Sequence, residues 1–451
     1  MPCFTLHPPL HALLLAAAEG GGSSELVQGI DLAFPVTLGA VGLLMIASVV
    51  VEKYALRLGV PSAVALFGIG LAVNVEALKI DIHKFEEIHI LALCVMLFYS
   101  GVTISRSIYR CRKLFLSTLA FSLVGTGIMV FLGTVINWGV LELLVPDYSI
   151  RQFQWLPPLA IAYAMAAQDW GAFSFVSKRI RSFNLNVRSV FELESAVSAA
   201  MTLVLGACMV EFLATRNTVE AVRAVAQVAI GGVAFGLLIG SLFGACLAYA
   251  IRRFTIEHAQ LSVIAIGFVF LGYAVSDLFS SGGLICSLVM GVVVSILLNR
   301  EEDQDEREVL SIQLESINIA TEALIFFLVG LSIAPQQFFL TLPVGFAVLM
   351  GIWLIRPLNV WLFYSGGVLK QRERVMLASW NPKGAVTMAL ALTIPELVRL
   401  GGVDFQTVIG KIDPEIVLSV VCGAVILSML IKSLIVPAIH HRILPGDSSA
   451  V

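Results

Sequence analysis

The chain has 451 residues, 58% of them hydrophobic and 13% charged, with mean hydropathy +0.94 and a formal net charge of −3. Soluble domains carry about 25% charged residues, so this composition excludes an ordinary soluble domain, and the nearly balanced charge points to no nucleic-acid partner. The seven cysteines (Cys3, Cys94, Cys111, Cys208, Cys246, Cys286 and Cys422) stand singly, which indicates neither a disulfide framework nor a resident metal or cofactor site.

Residues 1–30 contain a short apolar patch, "HALLLAAA", and a Gly/Ser stretch, "AEGGGSSE". They read as a flexible lead-in. A cleaved leader is the second reading, although no Lys or Arg precedes the patch. Beyond it, charges cluster between apolar runs of about 18–25 residues, the length that crosses a ~30 Å hydrocarbon layer as a helix. Runs and breaks predict helices over 34–51, 61–77, 88–105, 114–144, 156–177, 190–213, 225–250, 260–276, 281–298, 309–334, 341–364, 375–397 and 414–437. The fold class is therefore an all-α polytopic membrane protein with thirteen spans in a transmembrane domain over 31–440, followed by a short tail, 441–451. The 114–144 run is longer than a span needs and is expected to end before its acidic loop. His440 and His441 are adjacent and point to different sides of a helix, which disfavours a ligand pair.

Lys and Arg crowd alternate loops. Arg106, Arg110, Arg112 and Lys113 follow the third span, and Lys178, Arg179, Arg181 and Arg188 follow the fifth, whereas Arg151 stands alone after the fourth. The bias places the N-terminus outside and the C-terminus in the cytoplasm, in what the sequence suggests is a bacterial inner membrane. Thirteen spans divide into six, a linker and six, and an offset of seven inverts the second half relative to the first. The fifth and twelfth spans become counterparts, and each is interrupted, at "QDWG" (168–171) and at "NPKG" (381–384), where Pro382 lacks a backbone donor. Paired broken helices are the strongest sequence pointer to a transporter's mid-bilayer site.

The candidate residues surround these breaks. Asp169 lies about thirteen residues into its span, roughly 20 Å from the outer end. It reads either as a cap on a half-helix or as a carboxylate that alternately holds a cation and a proton. Glu194, Ser195, Ser198 and Thr202 form a polar stripe on the sixth span, serving helix packing or a site. Glu192 falls on another face and is expected to be interfacial. Lys383 at the twelfth-span break needs a counter-charge, and a Lys383–Glu194 pair is predicted, with Asn381 and Gln168 beside the breaks. Arg356 is expected to tie helices or broken-helix carbonyls together. Asp277 and Glu322 remain open between structural and functional roles.

Several stretches in order resemble the monovalent cation–proton antiporter family, in its NhaP-like (sodium/hydrogen exchanger) branch. They are "LRLGVPSAVALFGIGLAVN" (56–74), "LFYSGVTIS" (97–105), "AAQDWGAFSFV" (166–176), "ELESAVSAAMTLVL" (192–205), "YAVSDLFSSGGLICSLVMGVVVS" (273–295), "IFFLVGLSI" (325–333), "LIRPLNVWL" (354–362) and "SWNPKGAVTMALALTIP" (379–395). The resemblance implies two inverted six-helix repeats, exchange of a monovalent cation, Na+ first, for H+ by alternating access, a homodimer and no enzymatic activity. It maps the ion and proton site onto Asp169, Gln168, Glu194, Ser195 and Ser198. This chain departs from the family at that site: Ser198 and Ala199 stand where the family has Asn-Asp, Gln168-Asp169-Trp170 where it has Thr-Asp-Pro, and Lys383 where it has an arginine. Two repairs are open. Either Asp169 takes over with Gln168, Ser195 and Ser198 as neutral ligands, or Glu194 exchanges and is released by Lys383. A transporter of another solute, such as an anion, and a transport-inactive regulatory relative are the alternatives.

Overall fold

The computed structural model describes residues 60–73, 86–145, 155–177, 184–214, 218–253, 260–279, 282–298, 304–400 and 414–443, with a few positions between 42 and 54. The lead-in over 1–30 and most of the first expected span lie outside the described residues. The architecture below belongs to the unit Ser48–Val451.

The described residues form helices and no strands. In chain order they are α1 (Ser62–Val73), α2 (Glu86–Thr103), α3 (Arg106–Arg110), α4 (Arg112–Leu144), α5 (Leu156–Ala166), α6 (Trp170–Ser177), α7 (Leu185–Ala214), α8 (Thr218–Gln227), α9 (Val233–Arg253), α10 (Leu261–Phe279), α11 (Gly283–Leu297), α12 (Gln304–Leu331), α13 (Pro335–Tyr364), α14 (Gln371–Ser379), α15 (Ala385–Leu400) and α16 (Pro414–Ile443). One π-helical turn, Val228–Gly232, joins α8 to α9. Among the described residues seven helices are long and apolar enough to cross a membrane. Apolar residues are buried where helices meet and exposed elsewhere, as at Phe131, Leu238, Val263 and Leu354. That outward apolar surface suits lipid.

Every expected span from the second to the thirteenth has a helical counterpart. One boundary differs in kind: α4 runs 33 residues through Glu142 instead of stopping before the acidic loop. Its polar end is accommodated because Glu142 is exposed, and a helix of roughly 50 Å can tilt or protrude from the bilayer.

The packing carries the inverted repeat. Spans seven apart are α1 and α11, α2 and α12, α4 and α13, the broken pairs α5–α6 and α14–α15, and α7 and α16. Exchanging partners maps the α1–α12 contact onto α11–α2, and α7–α4 onto α16–α13, while α4 packs on α13. The glycines obey the same exchange. Gly70 of α1 lies against Phe327 O of α12, and its counterpart Gly291 of α11 lies against Phe98 O of α2. Small residues let these helix backbones approach where no hydrophobic effect drives association in lipid.

Candidate functional site

The two broken spans cross at the centre of the bundle. Helix α5 stops at Ala166, and Ala167, Gln168 and Asp169 are non-helical before α6 begins. Helix α14 stops at Ser379, and residues 380–384 are non-helical before α15 begins. The chain breaks there because Pro382 has no N–H to continue a helix, and the two open segments stitch together through Asp169 N–H donating to Pro382 O at 3.2 Å.

Each break leaves orphan backbone groups away from bulk water. Asp169, 1% exposed, answers two of them. Its Oδ1 accepts from Ala172 N–H of α6 at 3.1 Å, and its Oδ2 accepts from Val386 N–H of α15 at 2.9 Å. One carboxylate thus sits at the positive ends of two half-helices. Lys383 does the converse: its Nζ donates to Ala167 O, just past the end of α5, at 2.8 Å. Gln168 N–H donates to Ser198 Oγ at 3.1 Å, tying the break to α7. Gln168, Asn381 and Lys383 are all buried.

The expected Lys383–Glu194 pair is not what forms. Glu194 receives both Arg356 Nη atoms, at 2.6 and 2.8 Å. The planar guanidinium fork matches a carboxylate in a way an ammonium does not, and Lys383 turns instead to the α5 carbonyl end. Arg356 also donates from Nε to Leu377 O of α14 at 3.0 Å, and lies 5.5 and 5.4 Å from the Phe121 and Phe191 ring centroids. The second repair, with Lys383 releasing Glu194, loses its geometric basis.

Glu192 also departs from expectation. It is 2% exposed, not interfacial, because Ser105 N–H (2.8 Å) and Arg188 Nε (2.9 Å) supply its oxygens inside the protein. Along α7, Ser195 Oγ donates to Glu192 O at 3.1 Å, Ser198 Oγ to Ser195 O at 3.4 Å, and Thr202 Oγ1 to Ala199 O at 2.8 Å. Each hydroxyl keeps its lone pairs for other donors or a cation. Glu322, held by Asn318 Nδ2 at 3.1 Å, abuts Gly171 at the start of α6, whereas Asp277 is exposed near the end of α10.

One buried charge was not anticipated. Lys432 of α16 is 3% exposed; its Nζ donates to Ser428 Oγ at 2.8 Å and lies 5.9 Å from the Trp353 ring centroid. The available signal was a lone lysine within the apolar run "AVILSMLIKSLIVPA", since an ionisable residue inside a span is a functional candidate by default. Lys432, Lys383, Ser428, Pro382 and Ala172 help line a cavity of about 10 Å³, close to what one water needs.

A carboxylate offers about four lone-pair positions; the two backbone bonds leave Asp169 able to take a further partner. Ser198 Oγ reaches the same break by accepting from Gln168 N–H. No group of three or more His, Cys, Asp or Glu suited to a resident metal occurs among the described residues. Gly384 keeps the arrangement closed: a Cβ there would lie 2.8 Å from both Asp169 Cγ and Oδ2. Gly384→Ala is therefore expected to displace the Asp169 carboxylate and to cost about 1 kcal/mol of stability, the equivalent of one lost net hydrogen bond. Thermal unfolding in detergent checks this.

A family model, "Sodium/hydrogen exchanger, transmembrane", matches residues 41–441. The K(+)/H(+) antiporter NhaP of Alkalimonas amylolytica is 24% identical over 371 residues, which cover 80% of this chain and 60% of that protein. The chain thus spans about three fifths of that relative's length. Among solved structures, the sodium proton antiporter MjNhaP1 of Methanocaldococcus jannaschii at pH 8 aligns with a TM-score of 0.74 at 19% identity, covering 92% of this chain and 100% of the other. An electron-microscopy map of the same protein aligns with a TM-score of 0.70 at 20% identity, covering 92% and 99%. At these identities the two structures establish a shared fold.

Proposed function

The chain belongs to the sodium/hydrogen exchanger family, and from that premise we propose that it exchanges a monovalent cation for H+ across a membrane by alternating access. The observation that carries the reading is the crossing itself: two discontinuous helices with a buried carboxylate, Asp169, between their half-helix N-termini. Such a crossing supplies an anion and turned-out backbone groups at mid-membrane, the ingredients of a cation site.

Asp169 provides the anionic oxygens in this reading, and Gln168, Ser195 and Ser198 the neutral ones, replacing the carboxylate that the resemblance places at Ala199. Lys383, from the second break, answers the carbonyl end of the first at Ala167 O, Asn381 supports the site beside it, and the Arg356–Glu194 pair fixes α13 to α7. Sodium is the first candidate. Potassium is the second, because the Alkalimonas amylolytica relative is named for it. The working unit is a transmembrane domain over 31–440, N-terminus outside and C-terminus inside, assembled as a homodimer.

The test uses the full chain in proteoliposomes carrying an imposed proton gradient and a pH dye. Na+ or K+ is expected to dissipate the gradient, with no dependence on the accompanying anion. Flux that follows the anion instead would transfer the protein to the other-solute reading. A well-folded protein that moves no protons with Na+, K+ or Li+ would make it a transport-inactive relative.

A further inference from the structure

The crossing holds more positive than negative side chains. Asp169, Glu194, Arg356, Lys383 and Lys432 are all buried. Glu194 and Arg356 neutralise each other in a bidentate pair. Asp169 and Lys383 serve opposite ends of the same broken helix, at Ala172 N–H and Ala167 O. Lys432 is the charge left over. Its acceptor is a hydroxyl on its own helix, Ser428 Oγ, and the charged groups acting on it from the packed elements, Lys383 at the break and Arg356 on α13, are themselves cationic. Asp169 and Glu194 stand beyond these two. An ammonium offers three donors, and burying it without a carboxylate is costly.

We propose that Lys432 carries the proton that is exchanged against the cation. The inference rests on the exchanger reading above and names a group that reading leaves open. In this scheme Asp169 is the anionic ligand of the cation, its two oxygens accepting from two half-helix N-termini. When a cation occupies the Asp169 oxygens, its charge is felt at Lys432 through Lys383, which stands beside Asp169 and shares the cavity with Lys432. The Lys432 ammonium then gives one proton to water in that cavity, leaving a neutral amine that accepts a hydrogen bond from the Ser428 hydroxyl. When the cation leaves, the amine takes one proton back. The crossing holds the same total charge in both strokes, one cation against one proton. A chain with alanine at 199 thereby keeps a proton site without a second carboxylate.

The experiment measures proton release on cation binding by the purified full-length protein in weakly buffered detergent solution, alongside flux in proteoliposomes. The variants are Lys432→Met, close in volume and never charged, and Lys432→Arg, always charged. Wild type is expected to release about one proton per Na+ or K+ bound. Lys432→Met is expected to melt within a few degrees of wild type and to bind the cation without releasing a proton. Lys432→Arg is expected to bind the cation at least tenfold more weakly. Both are expected to lose at least tenfold in exchange. A purely structural lysine would leave proton release intact in Lys432→Met. Unchanged release, or wild-type exchange in both variants, overturns the assignment and leaves the exchanger reading standing; wild type that neither binds nor exchanges any of these cations fails the exchanger reading itself.

Discussion

Asp169→Ala is expected to lower cation-dependent proton flux at least ~100-fold and to destabilise the folded protein by about 3–5 kcal/mol, the range for removing one member of a buried charge system. Two losses add. The N–H groups of Ala172 and Val386 lose their acceptor in a region without bulk water, and hydrogen bonds to a charged group contribute about 1.5–3 kcal/mol each. Lys383 also loses an anion that acts on it and is not already paired with arginine. Asp169→Asn separates the effects. An amide carbonyl can still accept from one half-helix, but its NH2 faces the other as donor against donor. The asparagine variant is therefore expected to recover part of the stability and none of the flux. Thermal unfolding in detergent and proteoliposome flux read the two quantities independently; an asparagine variant with wild-type flux would remove Asp169 from the ion site.

The second large effect concerns the Arg356–Glu194 pair. Glu194→Gln alone leaves the guanidinium buried without its counter-ion and is expected to cost about 3–5 kcal/mol. Arg356→Met alone leaves the carboxylate in the same position, and also withdraws the Nε–H donor from Leu377 O. The double variant, Glu194→Gln with Arg356→Met, removes both charges and is expected to be at least ~2 kcal/mol more stable than the sum of the single effects predicts, a coupling expected of groups in direct contact. Lys383→Met in place of Arg356→Met is expected to show weaker coupling with Glu194→Gln, because Lys383 hydrogen-bonds Ala167 O and acts on the glutamate only through its charge. A cycle measured by unfolding in a mild detergent distinguishes the two partners. Strong coupling of Glu194 to Lys383 and none to Arg356 would contradict the geometry.

The sequence made some of this legible and hid the rest for physical reasons. Both breaks were readable because Asp169, Pro382 and Lys383 interrupt apolar runs with residues that a membrane helix accommodates only where something answers them. Their correspondence followed from counting spans, since an inverted repeat is a matter of order and spacing. Partner choice was not readable. Glu194 is flanked by equally plausible cations at 356 and 383, and nothing local says which reaches it; a mid-span arginine and a break lysine differ in fork geometry and in the carbonyls near them. The burial of Glu192 was missed for a related reason. Its helix face looks peripheral until Ser105, far away in the chain, brings a backbone N–H to it. Lys432 lay in plain view. Its run was read for hydropathy, in which one lysine among so many apolar residues scarcely registers, and its significance emerged only when α16 packed against the crossing and brought it to the same cavity as Lys383.

With alanine at 199, the proposed cation site has one buried carboxylate at the crossing, Asp169. Ala199 is 2% exposed on α7, one residue past the serine that accepts from Gln168 N–H. Ser198 thus ties α7 to the break that carries Asp169. The most direct test is equilibrium binding of radiolabelled Na+, and of Rb+ as a potassium surrogate, to purified wild type and to Asp169→Asn. Wild type is expected to bind one of these ions saturably and less tightly in acid, and Asp169→Asn at least ~100-fold more weakly. Binding of equal strength in both proteins, or none in a folded wild type, would contradict the proposed site.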